Sequence, residues 1–303
     1  MFSSRPLFFF KSSALRGALL QALCVAGLFS SPVYAGSDIE PRNAEEAQRQ
    51  NQYAEKIPAD IYRRWVDYVK ASEPEKQVWL HTLEENLGGY YFPVLLTQTL
   101  FGPRPYYEPA DPWAYVKDNP ALPRVLIIGD SISRSYTVRV RRQLTGKANV
   151  HRAPANCGPT GNFLTNGEIW LNQNGSNHWD FIIFNFGVHD GKKVEGYEER
   201  LRQVVARLKK TGAKEIFWVR TTPWGKDATV FDGPAGDVSQ LTNTLSDRVA
   251  KDEGLTVIDA HALMMPLIPT GLNKKDFTHW STDAYAVLAD FIAKTVEPSL
   301  TTR

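Results

Sequence analysis

From Pro123 onward, short apolar runs alternate with stretches in which apolar residues recur every three or four positions. The runs at 125–128, 181–186, 215–219 and 256–258 have the length and composition of strands buried on both faces. Helical spacing fills the gaps, at about 136–146, 196–210, 237–253 and 282–295, and a weaker extended segment lies near Asn149-Val150-His151. Strands separated by helices pair in parallel through right-handed crossovers. The pattern therefore predicts an α/β fold, a flavodoxin-like doubly wound parallel sheet of about five strands.

Upstream the period differs. Ile57, Ile61, Trp65, Tyr68 and Val69 recur at helical spacing, and Ser72-Glu73-Pro74-Glu75 offers a capping box for a second helix through Leu87, ended by Gly88-Gly89. Residues 36–56 are polar and charged and read as a loosely ordered leader. Residues 90–120, with Tyr90-Tyr91-Phe92-Pro93 and Pro103-Arg104-Pro105-Tyr106-Tyr107, read as an irregular wrapping segment. The expected organisation is a helical and irregular extension over 36–120 and an α/β domain over 121–303. No internal repeat is visible.

The first 35 residues hold Arg5, Lys11 and Arg16, no acidic residue, an apolar run from Gly17 to Phe29, and Pro32-Val33-Tyr34-Ala35. That is the layout of a secretory signal peptide cleaved after Ala35, and the run is short for a membrane span. Export to the periplasm or outside the cell is expected, with no stable membrane insertion after cleavage. Removing three positive and no negative charges turns the formal +2 into −1. No basic run remains to suggest nucleic acid as a partner. Cys157 is then the only cysteine, so the fold must hold through its core without an internal disulfide.

The stretch VLIIGDSISRSYT, Val125 to Thr137, places Ser131 where a strand's carboxyl end meets a helix's amino end, the edge at which open α/β sheets bind ligands. Standing alone it reads first as a serine capping a helix after a tight glycine turn. Near the chain's other end, Asp276-Phe277-Thr278-His279 precedes the last helix. An aspartate at that spacing can accept from the imidazole and fix its tautomer, leaving the other ring nitrogen as a base. Standing alone, this too suits a solvated loop, with Ser281 capping the helix. The six histidines show no H-x-x-x-H spacing, and glycine-rich phosphate loops are missing. Neither metal nor cofactor is expected.

Two further polar, glycine-containing segments, Asn156-Cys157-Gly158-Pro159-Thr160 and Gly187-Val188-His189-Asp190, follow the second and third strands. With Gly129-Asp130-Ser131-Ile132-Ser133 and Asp276 to His279 they make four blocks in order, and the chain resembles the SGNH, or GDSL, hydrolases over about residues 124–295. The resemblance implies Ser131 as nucleophile, His279 as base and Asp276 as its partner, with an oxyanion hole from the N–H groups of Ser131 and Gly158. The family's third donor is an asparagine side chain. Here His189 holds that position, and a neutral imidazole held by Asp190 or a backbone carbonyl has one N–H to offer. Asp130 reads as structural, holding the nucleophile loop, and Asn156 as shaping the hole. Asn156, Asp190, Trp224 and Trp280 are the candidate substrate contacts; either tryptophan would stack on a sugar ring or cover the core. G-x-S-x-G is absent, which argues against the α/β-hydrolase fold.

These readings converge on an exported serine esterase that removes a short acyl group, most simply acetyl, from a small-molecule or carbohydrate substrate. Two alternatives stand beside it: an O-acyltransferase acting on a polysaccharide, and a carbohydrate-binding protein without activity.

Overall fold

Five parallel strands form one sheet: β1 Arg124–Ile128, β2 Asn149–Arg152, β3 Phe181–Phe184, β4 Glu215–Val219 and β5 Thr256–Ile258, in the order β2-β1-β3-β4-β5. This is the flavodoxin-like order, and the crossover direction reverses between β1 and β3, which makes their carboxyl ends the switch point where ligands bind. The structure, a computed structural model, describes residues 42–102 and 112–300. The expected signal peptide and the Pro103–Tyr107 segment lie outside the described residues.

Side-chain alternation sorts each central strand between two cores. Val125, Ile127, Phe181, Ile183, Phe217 and Val219 pack on one face, under helices α5 (Ser131–Gln143) and α9 (Thr282–Leu300). Leu126, Ile128, Ile182, Phe184, Ile216 and Trp218 pack on the other. That face lies under α6 (Thr160–Leu171), α7 (Tyr197–Lys209) and α8 (Ser239–Glu253). Helix α6 is absent from the sequence reading. Gly161, Gly167 and two asparagines weaken its propensity, and burial of Phe163, Trp170 and Leu171 overrides them.

The extension has a third core of its own. Helices α1 (Ala44–Tyr53), α2 (Ala59–Lys70), α3 (Pro74–Asn86) and α4 (Gly88–Phe101) bury Tyr53, Trp65, Leu83, Phe92 and Leu96 together. Three expectations change here. Part of the expected leader is α1, capped by Asn43 and anchored through Tyr53. The Ser72 capping box does not form, because Glu73 is the N-cap and the Ser72 hydroxyl donates to the Tyr68 carbonyl. The aromatic segment after Gly88-Gly89 continues as α4, although Pro93 lies inside it. Proline removes the N–H that would bond the carbonyl four residues back, and the Lys56 ammonium donates to that Gly89 carbonyl at 2.9 Å instead.

Edge strand β2 is closed by the segment that leaves the extension. Asn119 and Asn149 exchange hydrogen bonds, His151 Nε2 lies 2.6 Å from Asp118, and Trp113 Nε1 donates to the Ala153 carbonyl at 3.1 Å. Two carbonyls on the outer edge of β2 are taken by side chains, that of Val150 by Arg141 Nε at 3.0 Å and that of Arg152 by Gln173 Nε2 at 3.1 Å, which leaves less of the ladder open to another chain.

Candidate active site

Strand β1 ends in Gly129, and Asp130 caps α5 by accepting from the Ile132 N–H at 2.9 Å. The cap is therefore Asp130, and Ser131 is the first residue of the helix. Its own N–H is one of the first-turn donors that no helical carbonyl can satisfy, and among the described residues it has no acceptor. Glycine at 129 lets Ser133 fold under the turn, since a Cβ there would meet Ser133 Oγ at 2.8 Å.

Ser131 Oγ lies 2.7 Å from His279 Nε2, and His279 Nδ1 lies 3.1 Å from Asp276 Oδ2. The carboxylate is oriented by its loop: Asp276 Oδ1 accepts from the backbone N–H groups of Thr278 at 3.0 Å and His279 at 2.9 Å. Burial alone would raise the Asp276 pKa, yet those N–H donors and the ring outweigh it and hold the pKa below its ordinary value. Asp276 is thus a carboxylate wherever the imidazole needs one. The tight turn puts Phe277 at φ 52°, a left-handed conformation costly for a bulky residue. Its N–H donates to Asn273 O, its carbonyl accepts from the Gly225 N–H, and its ring meets Phe231. Ser281 Oγ also accepts from the Ala284 N–H, so the capping role and the His–Asp pair coexist.

On the neighbouring loops, Gly158 has φ 62°, and a Cβ there would meet Asn162 Nδ2 at 2.9 Å. Its N–H, like that of Ser131, has no acceptor among the described residues. Gly187 turns the chain after β3 against Thr221, with no room for a side chain. His189 follows, half-exposed, with Nε2 at 3.9 Å from Asp130 Oδ2. The nearest carboxylate to that ring is therefore on the nucleophile loop. Asn156 keeps Oδ1 buried and without a partner, an acceptor available beside Gly158.

Three candidate contacts are corrected. Asp190 is 2 % exposed and fully engaged: it accepts from the Thr160 N–H at 2.8 Å, the Thr160 hydroxyl at 2.7 Å and Arg200 at 3.2 Å. It ties the post-β3 loop to α6 and has no face left for a substrate or for His189. Trp224 and Trp280, 4 % and 5 % exposed, belong to the core under α5 and α9, so neither presents a ring face for a sugar.

One residue that the sequence did not single out organises the nucleophile loop. Arg152, buried at the end of β2, donates to the carbonyls of Gly129 and Asp130, both at 3.0 Å, and to Ser133 Oγ at 2.7 Å. Its guanidinium also faces the Trp113 ring, 5.5 Å away, which brings the extension to within one side chain of the nucleophile turn. Cys157, beside it in the core, has its pKa pushed up to about 12 by burial, so the thiol offers no nucleophile.

No family model matches the chain, and no curated protein matches it. Solved structures similar to it include a protein of Slackia heliotrinireducens named as an SGNH hydrolase, at 19 % identity and TM-score 0.49, covering 58 % of this chain and 99 % of that one. An acetylxylan esterase from Geobacillus stearothermophilus matches at 15 % identity and TM-score 0.47, covering 57 % and 94 %. A GDSL-like lipase from Parabacteroides merdae matches at 12 % identity and TM-score 0.49, covering 59 % and 96 %. Among the described residues no helix is long and apolar enough to cross a membrane.

Proposed function

We propose that this chain is an exported serine esterase that removes a short acyl group, acetyl in the simplest case, from a carbohydrate. The observation that carries the reading is the unbroken relay from Ser131 Oγ through His279 to Asp276, at 2.7 and 3.1 Å, at the switch point of the sheet. A serine hydroxyl is a weak nucleophile until a positioned base takes its proton.

Ser131 Oγ attacks the ester carbonyl while His279 Nε2 takes its proton, and Asp276 steadies the resulting imidazolium. The carbonyl oxygen becomes an anion facing the free N–H groups of Ser131 and Gly158. The amino end of α5 adds its partial positive charge to that field. His189 supplies the third donor. The tetrahedral intermediate collapses as His279 returns its proton to the leaving alcohol. Water, activated by the same ring, then attacks the acyl-enzyme and releases the acid and Ser131.

The His279 ring is 40 % exposed, so water reaches the acyl-enzyme, and a sugar hydroxyl would reach it by the same route; the oligosaccharide arm of the test separates hydrolysis from transfer. A protein that only binds sugar would have no use for the serine–imidazole contact. Export rests on the sequence of the first 35 residues.

The test is hydrolysis of nitrophenyl acetate together with labelling by a serine-directed phosphonate. The chain is expected to turn over the ester and take one label at Ser131, and Ser131→Ala to lose both. A chain that neither hydrolyses the ester nor takes the label overturns the reading. Slow release of acid that gives way to acylated sugar on adding an oligosaccharide would replace hydrolysis by transfer.

A further inference from the structure

The loops around the serine carry positive charge that no carboxylate pairs with among the described residues, although Lys274 lies 5.9 Å from the ring centroid of Phe231. Arg134 lies three residues beyond Ser131 on α5, and residues at that spacing share a helix face. Its guanidinium sits 5.7 Å from the ring centroid of Tyr91 on α4, and its Nε is buried with no acceptor. No carboxylate pairs with Arg134 among the described residues, whereas Arg124, Arg200, Arg202 and Arg220 each have at least one. Buried Arg152 adds a second cation nearby, with Nη1 on hydroxyls, Nη2 on carbonyls and Nε without an acceptor.

The same excess recurs on two other rim loops. Lys192 and Lys193 follow His189 at the end of the post-β3 loop, and Lys274 and Lys275 precede Asp276. All four are exposed, and none makes an ion pair among the described residues. Of the acids on these loops, Asp130 caps α5, Asp190 is buried on Thr160 and Arg200, and Asp276 holds His279, so that exposed Glu195 is the carboxylate left to set against the four lysines. Beside Arg134 the extension offers Tyr90, 73 % exposed, with its ring 4.8 Å from that of Tyr91. An exposed aromatic face beside an unpaired guanidinium suits a sugar ring that bears an anionic group, which the planar fork can bind through two hydrogen bonds.

We propose that the alcohol side of the substrate is a polyanionic glycan, an acylated sugar chain carrying carboxylate or sulfate groups, held by Arg134 with Tyr90 and Tyr91 and drawn in by the lysines at 192, 193, 274 and 275. The proposal rests on the esterase reading and extends it to the substrate class. A rim with an excess of one sign of charge raises the local concentration of an oppositely charged polymer, and the advantage falls as salt screens it.

The test uses the full mature chain on three acetylated polymers: polygalacturonate, a sulfated glycan and neutral xylan. At low salt, kcat/KM for at least one anionic polymer is expected to exceed that for xylan tenfold or more, and the advantage to shrink severalfold at 0.5 M salt, where the Debye length falls to about 4 Å. Which anionic polymer leads identifies the group as carboxylate or sulfate. Arg134→Gln is expected to raise KM for the preferred polymer about tenfold and KM for xylan less than twofold. Lys192→Gln/Lys193→Gln, at exposed positions, gives a second reading should Arg134→Gln fold poorly, with a severalfold rise in KM for the anionic polymer. Equal efficiency on all three polymers, or equal loss on all three in both variants, overturns the proposal. Binding of de-acetylated polygalacturonate and of the sulfated glycan by Ser131→Ala separates the two claims. Salt-sensitive binding without any turnover by the parent chain sinks the esterase reading alone, and turnover of nitrophenyl acetate without such binding sinks this one alone.

Discussion

Replacing Asp276 by Asn tests the relay at its least redundant point. Asp276 Oδ1 accepts from two backbone N–H groups, at 2.9 and 3.0 Å, so the amide oxygen of an asparagine must take that place. Its NH2 would then face His279 Nδ1 across the 3.1 Å now spanned by Oδ2. A donor there forces Nδ1 to accept, which moves the ring proton to Nε2 and removes the lone pair that faces Ser131 Oγ. Turning the amide over would set its NH2 against the two N–H donors, so the loop offers no escape. A wrong tautomer in this arrangement costs on the order of 10⁴ in kcat, about 5 kcal/mol of barrier. The assay is kcat for nitrophenyl acetate beside a thermal melt. The melt is expected to move little, because Asp276 lies in an exposed loop. A kcat within tenfold of the parent, with the fold intact, refutes the reasoning.

Further outcomes follow from the surroundings of the site. Arg152→Met strips the charged donor from two carbonyls and a hydroxyl in a buried position and is expected to cost about 3–5 kcal/mol in urea unfolding; a loss under 1 kcal/mol would show the guanidinium to be dispensable. Gly187→Ala sets a Cβ 1.7 Å from Thr221 Oγ1, itself held by the Asn185 side chain, so about 1–3 kcal/mol of overpacking is expected, partly relieved by Thr221→Ala. Asp237 and Asp118 set the acid limit. Burial pushes both pKa values up, but His261 with the Ser239 and Trp224 N–H groups in one case, and His151 with Asn174 and Arg124 in the other, pull them below the ordinary value. Carboxylates shifted this way stabilise the fold fully above the unfolded-state value of about 3.9 and lose that contribution as pH falls through the lower native value. His151, whose pKa is lowered mainly by burial, adds a shallower loss beginning below about 6.5. The melting temperature should therefore sag below pH 6.5 and drop below pH 4, and Asp237→Asn should melt lower than the parent at pH 7 by a gap that narrows toward pH 3. A gap independent of pH would refute the assignment.

The sheet was legible because its central strands are buried on both faces, so Val125 to Ile128 and Phe181 to Phe184 read as uninterrupted apolar runs. Strand β2 was faint for a physical reason: its Asn149, His151 and Arg152 bond the covering segment and the nucleophile loop, and such residues look like surface in a sequence. Helix α4 was hidden by Pro93, whose lost bond is replaced from a residue 37 positions away in the chain, beyond any local pattern. At the site, the serine, histidine and aspartate were legible only together, because each loop alone suits a helix cap or a solvated turn and four such blocks in order at strand ends set them apart. The roles of Asp190, Trp224 and Trp280 were not, since an acid or a tryptophan in a rim loop reads the same whether it turns outward or inward. Arg152 left one trace, a cation inside a strand, which gains meaning only once β2 lies beside β1.

Ser131 and His279 stand 148 positions apart, and the loop bearing the histidine is held between the sheet and the terminal helix that packs beside α5. A ribosome would thus have made the nucleophile long before its base. Any product lacking the final helix, whether a nascent chain or a C-terminally clipped one, is expected to be inert toward esters, so turnover reports on completion of the whole α/β unit.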